Sequence, residues 1–255
     1  MDVSCTHRAY TNSKGTLPDS TSHIWHRQIR TDYILRMLSR IPLYIKYRHR
    51  TMITLQAYID ALAVTGKVLC NPHLRLGAII ECGTWRGGMA AGMIETCGFG
   101  RQYYFFDSFA GLPPAQELDG NSAFQWQADE TSPNFHDNCS ASIEEFYETI
   151  RMTKCPPQNV HVYKGFFEDT LPRFDCPPIA VLRLDGDWFA STMICLDALW
   201  DRVLPGGVVL IDDYYAWEGC AKAVHTFLAK RMAPERIYQG LVRNTAFIIK
   251  GPDIT

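Results

Sequence analysis

The sequence predicts an α/β domain built on an open, mostly parallel sheet with helices on both faces. Three observations predict it. Short apolar runs bounded by turns recur from residue 78 onward, stretches of helical spacing separate most of them, and the two kinds alternate. A strand–helix–strand order repeated in this way is satisfied by parallel strands joined through crossover helices.

The expected strands are 78–82, 103–106, 160–164, 179–184 and 208–211, with helices at 89–96, 142–152 and 191–203. A last helix spans about 219–231, and two short strands near Ile237 and at 246–250 close the sheet edge, giving seven strands. Upstream, residues 1–22 are polar and rich in turn formers and read as a loose segment. Apolar residues at helical spacing fill 24–47, with Pro42 interrupting, and an amphipathic helix follows at 51–64. These helices read as a cap, dividing the chain into an N-terminal segment and cap at 1–66 and a main domain at 67–255. Residues 113–139 are long, polar and aromatic without clear period, the mark of a functional or mobile loop.

The 255 residues are 47% hydrophobic and 20% charged with a formal net charge of -2, which gives no electrostatic reason for a nucleic acid or an anionic membrane as partner. The nine cysteines are scattered without a C-x-x-C pair and read as reduced core thiols. With no signal peptide and no apolar stretch of membrane-spanning length, the expectation is a soluble cytoplasmic protein.

The turn from Glu81 to Gly88, Glu-Cys-Gly-Thr-Trp-Arg-Gly-Gly, joins the first strand to its helix, and its glycines allow close approach of a ligand. It lacks the G-x-G-x-x-G spacing that seats a pyrophosphate on a helix N-terminus, so a cofactor without phosphates, such as S-adenosylmethionine, suits it better than a dinucleotide. In an open parallel sheet ligands bind beyond the carboxyl ends of the strands. The residues just past the other runs therefore form one constellation: Asp107, Gly165-Phe166, Asp185-Gly186-Asp187 and Asp212-Asp213. Asp107 is placed to accept from ribose hydroxyls; it also has the alternative of capping a turn with Ser108. Asp185, Asp187, Asp212 and Asp213 bring carboxylates to neighbouring tips. Such a cluster repels itself unless a cation neutralises it, and oxygen-only ligands in a site open to water suit Mg²⁺. The alternative is that Asp212-Asp213 caps the next helix. His136, His161 and His225 read as surface or core residues.

These motifs together resemble the macrocin O-methyltransferase family, small class I enzymes that use S-adenosylmethionine to methylate sugar hydroxyls on antibiotics. The resemblance rests on the turn 81–88, Phe106-Asp-Ser-Phe-Ala-Gly-Leu-Pro113, Lys164-Gly-Phe-Phe-Glu-Asp-Thr-Leu-Pro172, the stretch 182–193 and the stretch 205–214, in that order. It implies a Rossmann-like class I methyltransferase fold. Glu81, Gly83 and Trp85 would line the methionine half of the cofactor, with Thr84, Arg86 and Gly87 completing the turn. Asp107 and Ser108 would hold the ribose, and Phe166, beside Gly165, would lie near the adenine with Ser142. Asp185, Asp212 and Asp213 would hold Mg²⁺, with Asp185 also at the cofactor; Asp187 is then either a further ligand or the general base. The chain departs from the family pattern in its first fifty residues, in the 113–139 loop and at Tyr215-Ala-Trp217, where an acceptor would be read.

The expected reaction is Mg²⁺-dependent methyl transfer to a sugar hydroxyl of a glycosylated natural product. A catechol or other phenolic diol is the alternative acceptor, for which Phe124, Trp126 and Phe135 offer ring contacts or a lid. An NAD-type oxidoreductase and a non-catalytic cofactor-binding module are the rival classes. The partner set is a small glycoside or diol, with a homo-oligomer in keeping with the family.

Overall fold

In a computed structural model, residues 34–240 and 245–251 are described. The expected loose segment at 1–22 and the first part of the helical stretch 24–47 lie outside the described residues.

Seven strands form one sheet: β1 (Ala78–Cys82), β2 (Tyr103–Asp107), β3 (Val160–Lys164), β4 (Ile179–Leu184), β5 (Val203–Ile211), β6 (Ile237–Gln239) and β7 (Ala246–Ile249), in the order β3-β2-β1-β4-β5-β7-β6. The first five run parallel; β7 is antiparallel to both β5 and β6. The sheet takes this arrangement because β1 and β4 are buried on both faces, as the continuous apolar runs require. Successive β1 side chains point to opposite sides and feed two separate cores. Ile79 packs with Phe105, Val181 and Leu210 on one side, and Ile80 with Phe106, Leu182 and Val209 on the other.

The helices agree with the expected pattern and differ at their ends. Residues 34–38 are helical and the chain breaks before α1 (Ile41–Tyr47), so Pro42 does not sit inside a helix but in the first turn of a new one, where its missing N–H costs nothing. Then come α2 (Leu55–Val68), capped by Thr54 accepting from the Ala57 amide, and α3 (Gly88–Cys97). Residues 57–65 of α2 are all buried, and Tyr58 donates to the Gly88 carbonyl at 3.0 Å where Gly92 leaves no room for a Cβ. The division expected at residues 66–67 falls inside α2, whose side chains share a core with β1 and α3.

Within the expected loop lie α4 (Asn121–Ala128) and a left-handed turn, His136–Cys139, whose four residues all have φ between 48° and 59°. Then follow α5 (Ile143–Arg151), α6 (Phe189–Leu199) and α7 (Glu218–Lys230). α6 stops short of residue 203 because residues 200–202 tighten into a 3₁₀ turn and Val203 already belongs to β5. β5 begins earlier than 208 despite Pro205-Gly-Gly207. Pro205 is exposed, Gly206 sits at φ +81°, and the register with β4 shifts between Ile179 and Val181 to absorb the irregularity.

Candidate active site

The strand order reverses direction between β1 and β4, and there the carboxyl ends of β1, β2, β4 and β5 open onto one cavity of about 340 Å³. Glu81, Gly83, Thr84, Trp85, Asp107 and Ser108 line its β1–β2 side. Asp185, Asp187, Asp212 and Asp213 line the other, and Phe166, which follows β3, lines the cavity as well.

The β1 turn is held by Asp107. Its Oδ2 accepts from the Thr84 and Trp85 amides at 2.7 and 2.8 Å and from the Thr84 hydroxyl at 3.3 Å, while Oδ1 accepts from the Phe109 amide at 2.7 Å. The side chain thus caps two turns at once. Ser108 Oγ is likewise engaged locally, accepting from the Ala110 amide and donating to the Gly111 carbonyl. Gly83, at φ +89°, is required by a close approach: a Cβ there would stand 1.8 Å from the Asp185 carbonyl oxygen.

Four expected cofactor residues lie outside the cavity. Arg86 and Ser142 border an adjoining depression that shares Trp85 and His136 with it. Arg86 pairs with Glu145 at 3.1 Å and lies over the Trp85 ring at 4.4 Å, and Ser142 caps α5 in a capping box with Glu145. Gly87, at φ +80° against Phe146, shapes the entry to α3, and Gly165 follows the end of β3.

The β4–β5 side is dominated by carboxylates, and one residue that the pattern reading passed over organises them. Arg183, 1% exposed within β4, donates through Nη1 to Glu81 Oε1 at 2.8 Å and to Asp185 Oδ2 at 2.7 Å, and its Nη2 pairs with Asp212 Oδ1 at 2.7 Å. A charged residue amid Ile-Ala-Val-Leu, opposite Glu81 in another buried run, was the available signal, because a charge buried in a sheet needs a partner there. Glu81 is fully buried, its Oε2 has no hydrogen-bond partner, and burial pushes its carboxyl up to about 8. Beyond Arg183, one carboxylate oxygen each from Asp185, Asp187 and Asp213 lie within 4.8 Å of one another. Asp212, tied to Arg183, is not in that group. Burial, then mutual repulsion among the carboxylates, raises Asp187 to about 8 and holds Asp213 well above its ordinary range. Burial likewise raises Asp185 to about 7, against the pull of Arg183. Asp187 has φ +56°; its amide donates to Asp213 Oδ2 at 3.0 Å and its own Oδ2 accepts from the Trp217 indole at 2.9 Å.

The 113–139 loop covers this end. Trp126 of α4 lines the cavity and packs on Phe135, whereas Phe124 points away and is 45% exposed. Asp119, also passed over, is buried; its Oδ1 accepts from the Phe189 amide and so caps α6 from the loop. His136 borders the cavity, while His161 stacks on Tyr104 and His225 meets Tyr214, both away from it.

A model of the Macrocin-O-methyltransferase (TylF) family matches residues 50–242. The chain belongs to that family. The five motifs that suggested it fall inside the matched span, and so do all the site residues above. The TylF-family chain is 33% identical over 158 residues to the 8-demethyl-8-(2,3-dimethoxy-alpha-L-rhamnosyl)-tetracenomycin-C 4'-O-methyltransferase of Streptomyces olivaceus, covering 59% of this chain and 58% of that protein. It is also 33% identical over 158 residues to the demethyldecarbamoylnovobiocin O-methyltransferase of Streptomyces niveus, covering 60% and 59%. The match thus spans less than two thirds of these relatives' length. Among solved structures, the O-methyltransferase NovP is similar at 27% identity with a TM-score of 0.65, over 80% of this chain and 83% of that one. A calicheamicin methyltransferase, CalS11, at 17% identity and a TM-score of 0.60 over 97% and 100%, shares the fold. The fold is accordingly the class I methyltransferase fold expected from the motifs. Family membership leaves the oxidoreductase reading without support. Among the described residues, no helix is long and apolar enough to cross a membrane.

Proposed function

We propose that this chain transfers a methyl group from S-adenosylmethionine to a sugar hydroxyl of a glycosylated natural product, with Mg²⁺ held at the tips of β4 and β5. The observation that carries the reading is the juxtaposition, in one cavity, of the glycine turn after β1 and the carboxylates after β4 and β5. The relatives support the acceptor class, since those at 33% identity are named for methylating a rhamnosyl tetracenomycin and demethyldecarbamoylnovobiocin.

Both groups suit the residues present. Glu81 Oε2 is a buried acceptor without a donor, which a cofactor ammonium would satisfy, and Gly83 lets the ligand lie against the backbone. The carboxylate cluster is short of positive charge, because Arg183 is already shared among Glu81, Asp185 and Asp212. A hard divalent ion supplies what is missing. When bound, S-adenosylmethionine carries the methyl group on a sulfonium and Mg²⁺ lowers the pKa of a hydroxyl presented to it.

The chain's own residues then have separable tasks. Glu81, Gly83, Thr84 and Trp85 bind the methionine half, and Asp107, besides bracing the turn, faces the ribose with Ser108. Phe166 meets the adenine, while Ser142 and Arg86 lie in the adjoining depression beside Trp85. Asp185, Asp213 and the second oxygen of Asp212 hold the ion. Asp187, its Oδ2 engaged by Trp217, takes the acceptor proton at Oδ1. A second reading, favoured by the mutual approach of Asp185, Asp187 and Asp213, puts Asp187 in the ligand set in place of Asp212. Mn²⁺ titration of Asp187→Asn and Asp212→Asn separates the two: the variant whose affinity falls by tenfold or more has lost a ligand.

The decisive experiment offers a panel of 6-deoxyhexosyl glycosides, alongside catechol, to protein stripped with EDTA and to the same protein with Mg²⁺ restored. Product mass and position of the new methyl group are read out. Methylation of a sugar hydroxyl that returns only with Mg²⁺ is expected. Full activity in excess EDTA removes the metal, and transfer to catechol ahead of every glycoside removes the acceptor class.

A further inference from the structure

Three indoles close the acceptor side of the cavity, and each comes from a different part of the chain. Trp126 belongs to the loop helix α4, Trp188 follows the tip of β4 and Trp217 precedes α7. They meet edge to face: Trp188–Trp217 at 5.2 Å, Trp126–Trp217 at 5.8 Å and Trp126–Trp188 at 6.2 Å between ring centroids. Trp188 is 1% exposed and donates its indole N–H to the Pro113 carbonyl at 2.9 Å, so it anchors the group. Trp126 and Trp217 are half-buried and line the cavity.

Trp217 alone also reaches the acids. Its indole N–H donates to Asp187 Oδ2 and its backbone amide to the Asp213 carbonyl, both at 2.9 Å. Asp187 needs this support. A non-glycine residue at φ +56° is strained and persists only where its surroundings over-determine it. Here the surroundings are the Asp213 carboxylate on its amide and the Trp217 indole on its side chain. With Oδ2 taken, the carboxylate has one oxygen left for the cavity.

We propose that Trp217 is a positioning and specificity residue that joins two tasks. Its N–H aims Asp187, and its ring, with Trp126, forms an apolar wall for the C–H face of the acceptor's sugar ring. The proposal rests on the acceptor class given above. Flat, rigid aromatic walls with a few fixed polar groups are how a pocket orients a ring that has one apolar and one hydroxylated face. A ring seated there turns its hydroxylated edge toward Asp187, because wall and carboxylate are joined through one side chain.

The test uses full-length protein saturated with S-adenosylhomocysteine, whose binding is followed by calorimetry in every variant. In ¹H–¹⁵N spectra the Trp217 indole signal is identified by its loss in Trp217→Phe. It is expected to move in Asp187→Asn without any acceptor present; a signal that does not respond overturns the positioning role. A methyl 6-deoxyhexopyranoside then serves as the probe, with binding read from tryptophan fluorescence. Trp217→Phe keeps a ring and should hold the probe within about threefold of wild type, while Trp217→Ala and Trp126→Ala should each weaken it at least tenfold. Undiminished probe binding in both alanine variants, or no binding to the wild-type protein, overturns the wall. If Trp217→Ala fails to fold, Trp126→Ala and the indole signal still decide. Loss of S-adenosylhomocysteine binding by the wild-type protein itself counts against the parent function instead.

Discussion

The two halves of the cavity are both built on aspartates at strand tips, yet they have opposite hydrogen-bond economies. At the end of β2, Asp107 collects four donors from Thr84, Trp85 and Phe109. At the ends of β4 and β5, four aspartates share a single guanidinium, one indole and one backbone amide. The first carboxylate is a structural brace. The second group has fewer donors than carboxylate oxygens. Donor supply, rather than residue type, separates the two groups at the same sheet edge.

The comparison is broken most severely at Arg183. Arg183→Met should destabilise the protein by about 3–5 kcal/mol in denaturant unfolding, because Glu81, Asp185 and Asp212 would lose the one buried guanidinium that pairs with all three. A loss under 1 kcal/mol would mean that the guanidinium is not the hub of these carboxylates.

The next effect is a pH dependence confined to the acid-rich side. Asp185 and Asp187 have folded values of about 7 and 8 against an ordinary 3.8. The folded chain therefore binds more protons than the unfolded one between about pH 4 and 8. Stability conferred by this group is complete at the acid end of that window and is lost as pH rises through it. Melts of EDTA-treated protein should show a decline on the order of 1 kcal/mol per pH unit per carboxyl. Mg²⁺ should flatten it, and an identical slope with and without Mg²⁺ would count against the ion site.

On the donor-rich side, Asp107→Ala should cost about 1–3 kcal/mol by leaving turn amides unpaired, and weaken S-adenosylhomocysteine about tenfold in calorimetry. Unchanged affinity would make Asp107 a brace alone. The smallest effect is expected at Ser142, where alanine removes the α5 cap and should lower stability by about 1 kcal/mol in the same unfolding assay.

The strands were legible because double burial leaves an uninterrupted apolar run, which Ala78-Ile-Ile80 and Val208-Val-Leu-Ile211 both display. The acids after them were legible for the same reason, since the run announces its own end. Three things were not. The start of β5 was hidden by Pro205-Gly-Gly207, whose turn chemistry outweighs a strand pattern when read locally. α4, half exposed and short, carries no strong period. Arg183, the hold of Trp217 on Asp187 and the partnering of Asp107 depend on which strand tips become neighbours, and that follows from the sheet order rather than from any window of residues.

The loop over the acceptor side is closed on itself at its base. Leu112 and Asn138 are joined by two hydrogen bonds, from the Leu112 amide to the Asn138 carbonyl and from Asn138 Nδ2 to the Leu112 carbonyl, with Gly111 giving way where a Cβ would strike the Asn138 oxygen. Everything between these two residues is consequently an insert on a fixed neck. The insert nevertheless reaches past that neck, through Asp119 to the start of α6 and through Trp126 to Trp188 and Trp217, so exchanging it for one of another length would disturb the indole that holds Asp187 as well as the loop itself.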